Sequence, residues 1–186
     1  MTIAWLLASS VLWLQPNTTV VLGLAERDLT GDSKPEALRV VGAGPASDNL
    51  DVTFTIESEG KTIYRFTLAP LTRATGFDAG RRNLSAAQHR ARLDEFPRWF
   101  FGKEKFQRPA EFVDSLRLSA PLRVDEIADV IARDRHPAET RDGAEIWKEI
   151  LSSPVTIFTF SPGGDTLVAI GWSARAGRFY RLLECC

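Results

Sequence analysis

The sequence predicts an α+β fold with a mostly antiparallel sheet. Apolar residues alternate with period two from 50 to 57 and share one face at 64, 66 and 68, then recur at helical spacing between 85 and 151. From 155 to 183 they return to short strand-like runs broken by Gly and Pro. Strands, then helices, then strands do not make the repeated βαβ pattern of a parallel sheet. The expected architecture is an N-terminal four-strand meander, a central helical segment of about four helices, and three C-terminal strands.

The chain has 186 residues, of which 44% are hydrophobic and 25% charged, enough for one core without staples. We divide it into a hydrophobic segment, 1–15, and a single α+β domain, 16–186. No Gly/Ser-rich linker argues for a second domain, and no internal repeat appears.

No charged side chain precedes Glu26, and Ile3 to Leu14 is apolar except for two serines. Twelve residues match the hydrophobic region of a secretory signal peptide and fall short of a membrane span. The expectation is a secreted or periplasmic protein, with membrane association only through this segment. A buried first helix or strand ending at Gln15-Pro16 is the alternative, and it would make the protein intracellular.

Val20 to Ala25 and Ala37 to Val41 read as strands by their Val and Leu content, joined by the polar stretch Asp28 to Glu36. Gly42-Ala43-Gly44-Pro45 is expected to break the chain. Leu50, Val52, Phe54 and Ile56 alternate with Asp51, Thr53, Thr55 and Glu57, as in a strand buried on one face. Ser58-Glu59-Gly60 turns it into Lys61 to Leu68.

Ser85-Ala-Ala-Gln88 is a capping box that opens a helix, which should end or kink near Pro97. Pro109 starts the next helix, with Phe112, Val113 and Leu116 as its stripe. Val124, Ile127, Ala128 and Ile131 share one helical face, and His136-Pro137 stops that helix. Asp142-x-x-Glu145 caps a last helix whose buried face is Ile146, Trp147, Ile150 and Leu151. The remaining strands are Val155 to Phe160, Thr166 to Trp172 and Phe179 to Leu183, joined at Pro162-Gly163-Gly164-Asp165 and Ala176-Gly177.

The stretch Asp28-Leu29-Thr30-Gly31-Asp32-Ser33-Lys34-Pro35-Glu36 carries the one recognisable pattern of metal chemistry. Side-chain oxygens stand at its first, third, fifth and ninth positions, and the Lys34 carbonyl holds the seventh. A tight turn makes such alternate residues converge, and calcium takes about six to eight oxygens. These nine residues resemble the short Asp-rich calcium loops of the FG-GAP and VCBS repeat families, in a single copy. The resemblance implies ligation of calcium by Asp28, Thr30, Asp32, Lys34 and Glu36. Ser33 stands where the pattern has a glycine in left-handed conformation. Arg39 at the twelfth position excludes an EF-hand, which needs a bidentate Glu there. Asp, Gly, Ser and Pro also build ordinary strand-connecting turns, so a metal-free turn is the other reading.

From Arg73 to Arg108 the chain has nine Lys/Arg against four Asp/Glu, interleaved with Phe96, Trp99, Phe100, Phe101 and Phe106. We assign a protein partner to segment 81–108 if those aromatics reach the surface; in the bland alternative they are core. A net charge of −1 leaves no global field to draw in nucleic acid.

Catalytic signatures are weak. Gly171-Trp172-Ser173-Ala174-Arg175 misses a nucleophile elbow, since Arg175 replaces the second Gly and a strand follows. His89 and His136 have no evident partners and read as surface residues. Cys185 and Cys186 are adjacent, so a bridge between them is strained and no long-range intrachain bridge exists. Ser161-Pro162-Gly163-Gly164-Asp165 reads as a hairpin turn. The function expected from the sequence is an exported non-enzymatic binding or structural module, with calcium as its one candidate cofactor. A small hydrolase with carboxylates assembled from distant positions is the competing reading.

Overall fold

The computed structural model describes residues 18–77, 83–119 and 123–185. The first strands are β1 (Thr18–Arg27), β2 (Glu36–Ala46), β3 (Asn49–Ser58) and β4 (Lys61–Thr72). They form an antiparallel meander in the order β1-β2-β3-β4. The expected break at Gly42 to Pro45 is corrected: β2 runs through it to Ala46. Its glycines are close-approach positions instead. A Cβ on Gly42 would lie 2.8 Å from Leu50 Cδ1, and one on Gly44 would collide with the Asn49 carbonyl.

Four helices follow: α1 (Ala86–Phe100), α2 (Pro109–Ser119), α3 (Val124–Asp134) and α4 (Gly143–Leu151). Ser85 and Gln88 form the capping box at the start of α1. The helix ends at Phe100, within one turn of Pro97, near where the proline was expected to end it. Pro97 sits in the last turn, where its missing N–H costs one bond and the buried rings of Phe96 and Phe100 hold the turn in place.

The second sheet comprises β5 (Phe106–Gln107), β6 (Ile157–Gly163), β7 (Thr166–Ser173) and β8 (Arg178–Cys185), in that order and antiparallel. β5 has only two residues and gives no sequence signal; it is recognised solely by its pairing with Ile157 and Phe158.

The two sheets stack and do not join. Leu38, Val40, Val52, Phe54 and Ile56 of the meander share one core with Phe158, Phe160, Val168, Ile170 and Phe179 of the second sheet. Phe54 lies at its centre, 5.4 Å from Phe158 and 5.3 Å from Phe160. Phe96, Phe100 and Phe101 of α1 and its C-cap complete this core. On its other face the second sheet presents Ile157, Ala169, Tyr180 and Leu182 to Phe112, Ile127, Ile131, Ile146, Trp147 and Ile150. The order of layers is therefore sheet, sheet, helices. Buried apolar side chains on both faces of β6, β7 and β8 explain their near-continuous hydrophobic runs.

Candidate functional site

The Asp28–Glu36 loop connects β1 to β2. Glu36 opens β2 with its carboxylate turned inward and fully buried. Its Oε2 accepts hydrogen bonds from the Leu29 amide at 2.7 Å and the Thr30 amide at 3.4 Å. Its Oε1 accepts from the Thr30 hydroxyl at 3.0 Å. Asp28 accepts from the amides of Gly31 at 2.7 Å and Ser33 at 3.0 Å, one on each oxygen. Asp32 accepts from the Lys34 amide at 2.9 Å. The Lys34 ammonium reaches Glu59 at 2.8 Å, and that hydrogen bond holds it above the usual lysine value. Ser33 adopts the left-handed conformation, φ 70°.

Calcium ligation would require Asp28, Thr30, Asp32, the Lys34 carbonyl and Glu36 to share one centre. Among the described residues no group of three or more His, Cys, Asp or Glu is arranged to hold a metal ion. The loop carboxylates face the loop's own amides.

In segment 81–108, residues 81–82 lie outside the described residues, and the aromatics divide. Phe96, Phe100 and Phe101 are buried, and Phe106 stacks on Phe158 at 4.8 Å. Trp99 is the one large apolar side chain of α1 that stays 40% exposed. It borders a cavity of about 230 Å³ with Leu71, Phe77, Arg92, Glu95 and Phe96.

Two polar clusters give no sequence signal, because their members lie far apart in the chain. Glu149 of α4 accepts from the Ser173 hydroxyl, the Arg175 amide at 3.0 Å and the Arg141 guanidinium at 2.5 Å. Burial pushes the Glu149 carboxyl up, but these three donors outweigh it and hold it below the usual range. Ser173 is fully buried and leads into the β7–β8 turn, so the Gly171–Arg175 stretch presents no exposed nucleophile. In the second cluster, the Tyr180 hydroxyl donates to Glu139, and Arg178 lies 4.2 Å over the Tyr180 ring. Arg181 reaches Asp134 at 3.0 Å. These clusters pin the α3–α4 connection and α4 onto the second sheet.

The expectation that both histidines lie at the surface is corrected for His89. It is buried, with Nε2 3.0 Å from the Ser47 carbonyl oxygen. His136 is exposed, and its Nδ1 accepts from the Ala138 amide at 3.2 Å. Cys185 ends β8, and Cys186 lies outside the described residues, as does the apolar segment 1–15. Among the described residues no helix is long and apolar enough to cross a membrane.

The largest departure from helical expectation lies among α2, α3 and α4. Val124 and Leu151 belong by spacing to buried stripes, yet they are 60% and 40% exposed. They border a groove of about 340 Å³ whose lining includes Val113, Leu116, Ile127 and Trp147. Asp114 and Arg117 also line it and pair with each other at 3.5 Å. A stripe residue that fails to bury is invisible in the sequence, since only packing shows which part of the stripe a neighbour covers.

Comparison with known proteins finds no family model, no curated protein and no solved structure that matches this chain.

Proposed function

We propose that this protein is a non-catalytic binding module that receives apolar side chains of a protein partner in the α2–α3–α4 groove. The observation that carries the reading is the pair Val124 and Leu151, exposed at the border of a groove lined by Val113, Leu116, Ile127 and Trp147. Its two charged lining residues neutralise each other, so the groove selects neither anion nor cation. A neutral apolar stripe, such as one face of an amphipathic helix, is the complementary chemistry. The part-buried polar groups favour this reading over hydrolysis: Ser173 is engaged with Glu149, and Tyr180 with Glu139. The uncharged stretch before Glu26 supports work outside the cytoplasm.

Panning a phage library of random peptides against the whole protein tests the groove. Enriched peptides should carry apolar residues at i, i+3 or i+4, and i+7, and should lose binding to a Val124→Glu, Leu151→Lys variant. Peptides that bind that folded variant equally well would remove the groove from the function. N-terminal sequencing of the native protein tests export, and recovery of Met1 or Thr2 from cytoplasm would contradict it.

A further inference from the structure

Leu29 is a core residue inside a polar loop. Its side chain is fully buried in the inter-sheet core, and its carbonyl accepts from the Thr156 amide, 3.2 Å away, just before β6. Two residues on, Gly31 adopts φ 77° with no room for a side chain. A Cβ there would come within 3.0 Å of the Pro154 and Val155 backbone. Pro154 is also held by Arg108, whose guanidinium donates to its carbonyl at 2.5 Å. Arg27, at the end of β1, lies 5.1 Å over the Phe106 ring of β5. The loop is thus the bridge between the edge of the first sheet and the entry to the second.

Backbone N–H groups that a sharp turn directs inward need hydrogen-bond acceptors, and a carboxylate is a strong one. Here Glu36 supplies the negative charge at the buried centre, and Asp28 supplies it at the rim. A buried carboxylate is tolerated only when hydrogen-bonded, and Glu36 accepts from two amides and one hydroxyl. Both oxygens of Asp28 and both of Glu36 already accept from donors of the loop, so a cation there would have to share oxygens that are in use.

We infer that the Asp28–Glu36 loop is a cation-independent clamp between the two sheets, held by the buried Glu36 carboxylate where the calcium loops it resembles use a metal ion. The clamp keeps Leu29 in the core and its carbonyl on Thr156. It does not depend on the groove reading, and the two can fail separately.

Thermal melts of the full-length protein in calcium chloride and in chelator test the clamp, with calorimetric titration of calcium chloride as a direct binding measurement. The expected result is one melting temperature in both media and no binding heat. Glu36→Gln places an amide NH₂ among donors and should lower the melting temperature by about 5–10 °C, equally with and without calcium. If that variant does not fold, Thr30→Val removes only the hydroxyl donor and should lower it by a few degrees, again without calcium dependence. A calcium-induced rise in the unmutated protein that disappears in Asp28→Ala would overturn the clamp. So would a Glu36→Gln variant that melts with the unmutated protein.

Discussion

The Ser173 hydroxyl lies 2.9 Å and 3.0 Å from the two carboxylate oxygens of Glu149, tying the turn after β7 to the last helix. Ser173 accepts in turn from the Ala176 amide at 3.2 Å, so the hydroxyl is used both ways. The Glu149 side chain is only 9% exposed, and its removal strands the donors of Ser173, Arg141 and Arg175. Glu149→Ala should therefore cost about 2–3 kcal/mol, and Ser173→Ala about 1–2 kcal/mol, in urea unfolding. Losses near zero in both would show that α4 is held by its apolar face alone.

The same carboxylate sets a pH dependence. Its folded-state pKa lies below the ordinary range, because three donors outweigh the burial that pushes it up. A depressed carboxyl contributes stability that is present above its unfolded value and is lost as pH falls through the folded one. Glu149→Gln removes that titration. The stability gap between unmutated protein and variant should be constant above about pH 5 and close as pH falls below about 4. A gap that widens in acid would reverse the sign of the assignment.

Phe54 tests the stacking of the sheets. It is fully buried and packs on Phe100 of α1 and on Phe158 and Phe160 of β6. Phe54→Ala should cost about 3–5 kcal/mol by equilibrium unfolding, as a transfer loss plus a cavity too well walled to collapse. A loss below about 1 kcal/mol would mean the two sheets can close over the gap.

The elements were legible where one period acts alone. Leu50 to Glu57 alternates because one face is covered and the other faces solvent, and Ser85-Gln88 caps α1 through bonds confined to four residues. The stacking of the sheets was not legible. Nothing in Phe160 or Ile170 indicates whether its strand pairs edge-on with the meander or lies over it. The candidate sites divide in the same way. The oxygens of Asp28 to Glu36 stand at metal-loop spacing, but spacing does not reveal that the carboxylates of Asp28, Asp32 and Glu36 accept from the loop's amides. Glu149 and Ser173 are 24 residues apart and meet only through the packing of α4 on β7. Pro97 marked the end of α1 to within a turn, while the burial of Phe100 that carries the helix past it is tertiary.

Gly143 links the packing of the helices to the groove. It is the first residue of α4, buried against α3, and helix propensity alone favours replacing it with alanine by up to about 1 kcal/mol. Sterics oppose this. An added Cβ would press into the Ala128 carbonyl, 2.8 Å from its carbon and 3.0 Å from the Ala128 Cα. Those atoms are backbone inside α3 and cannot rotate away, so the two helices must separate. Gly143→Ala should lose about 1–3 kcal/mol despite its better propensity. Gly177→Ala is the control: its added methyl meets nothing within 4 Å, and only the positive φ of 63° opposes it, at about 1 kcal/mol. Because Val124 and Ile127 on α3 face Trp147 and Leu151 on α4 across the groove, the separation should also weaken any peptide selected against it. Urea unfolding of both variants, followed by peptide titration of the folded Gly143→Ala protein, checks the two steps in turn. A Gly143→Ala protein at least as stable as the unmutated one would show that α3 and α4 do not meet at this glycine.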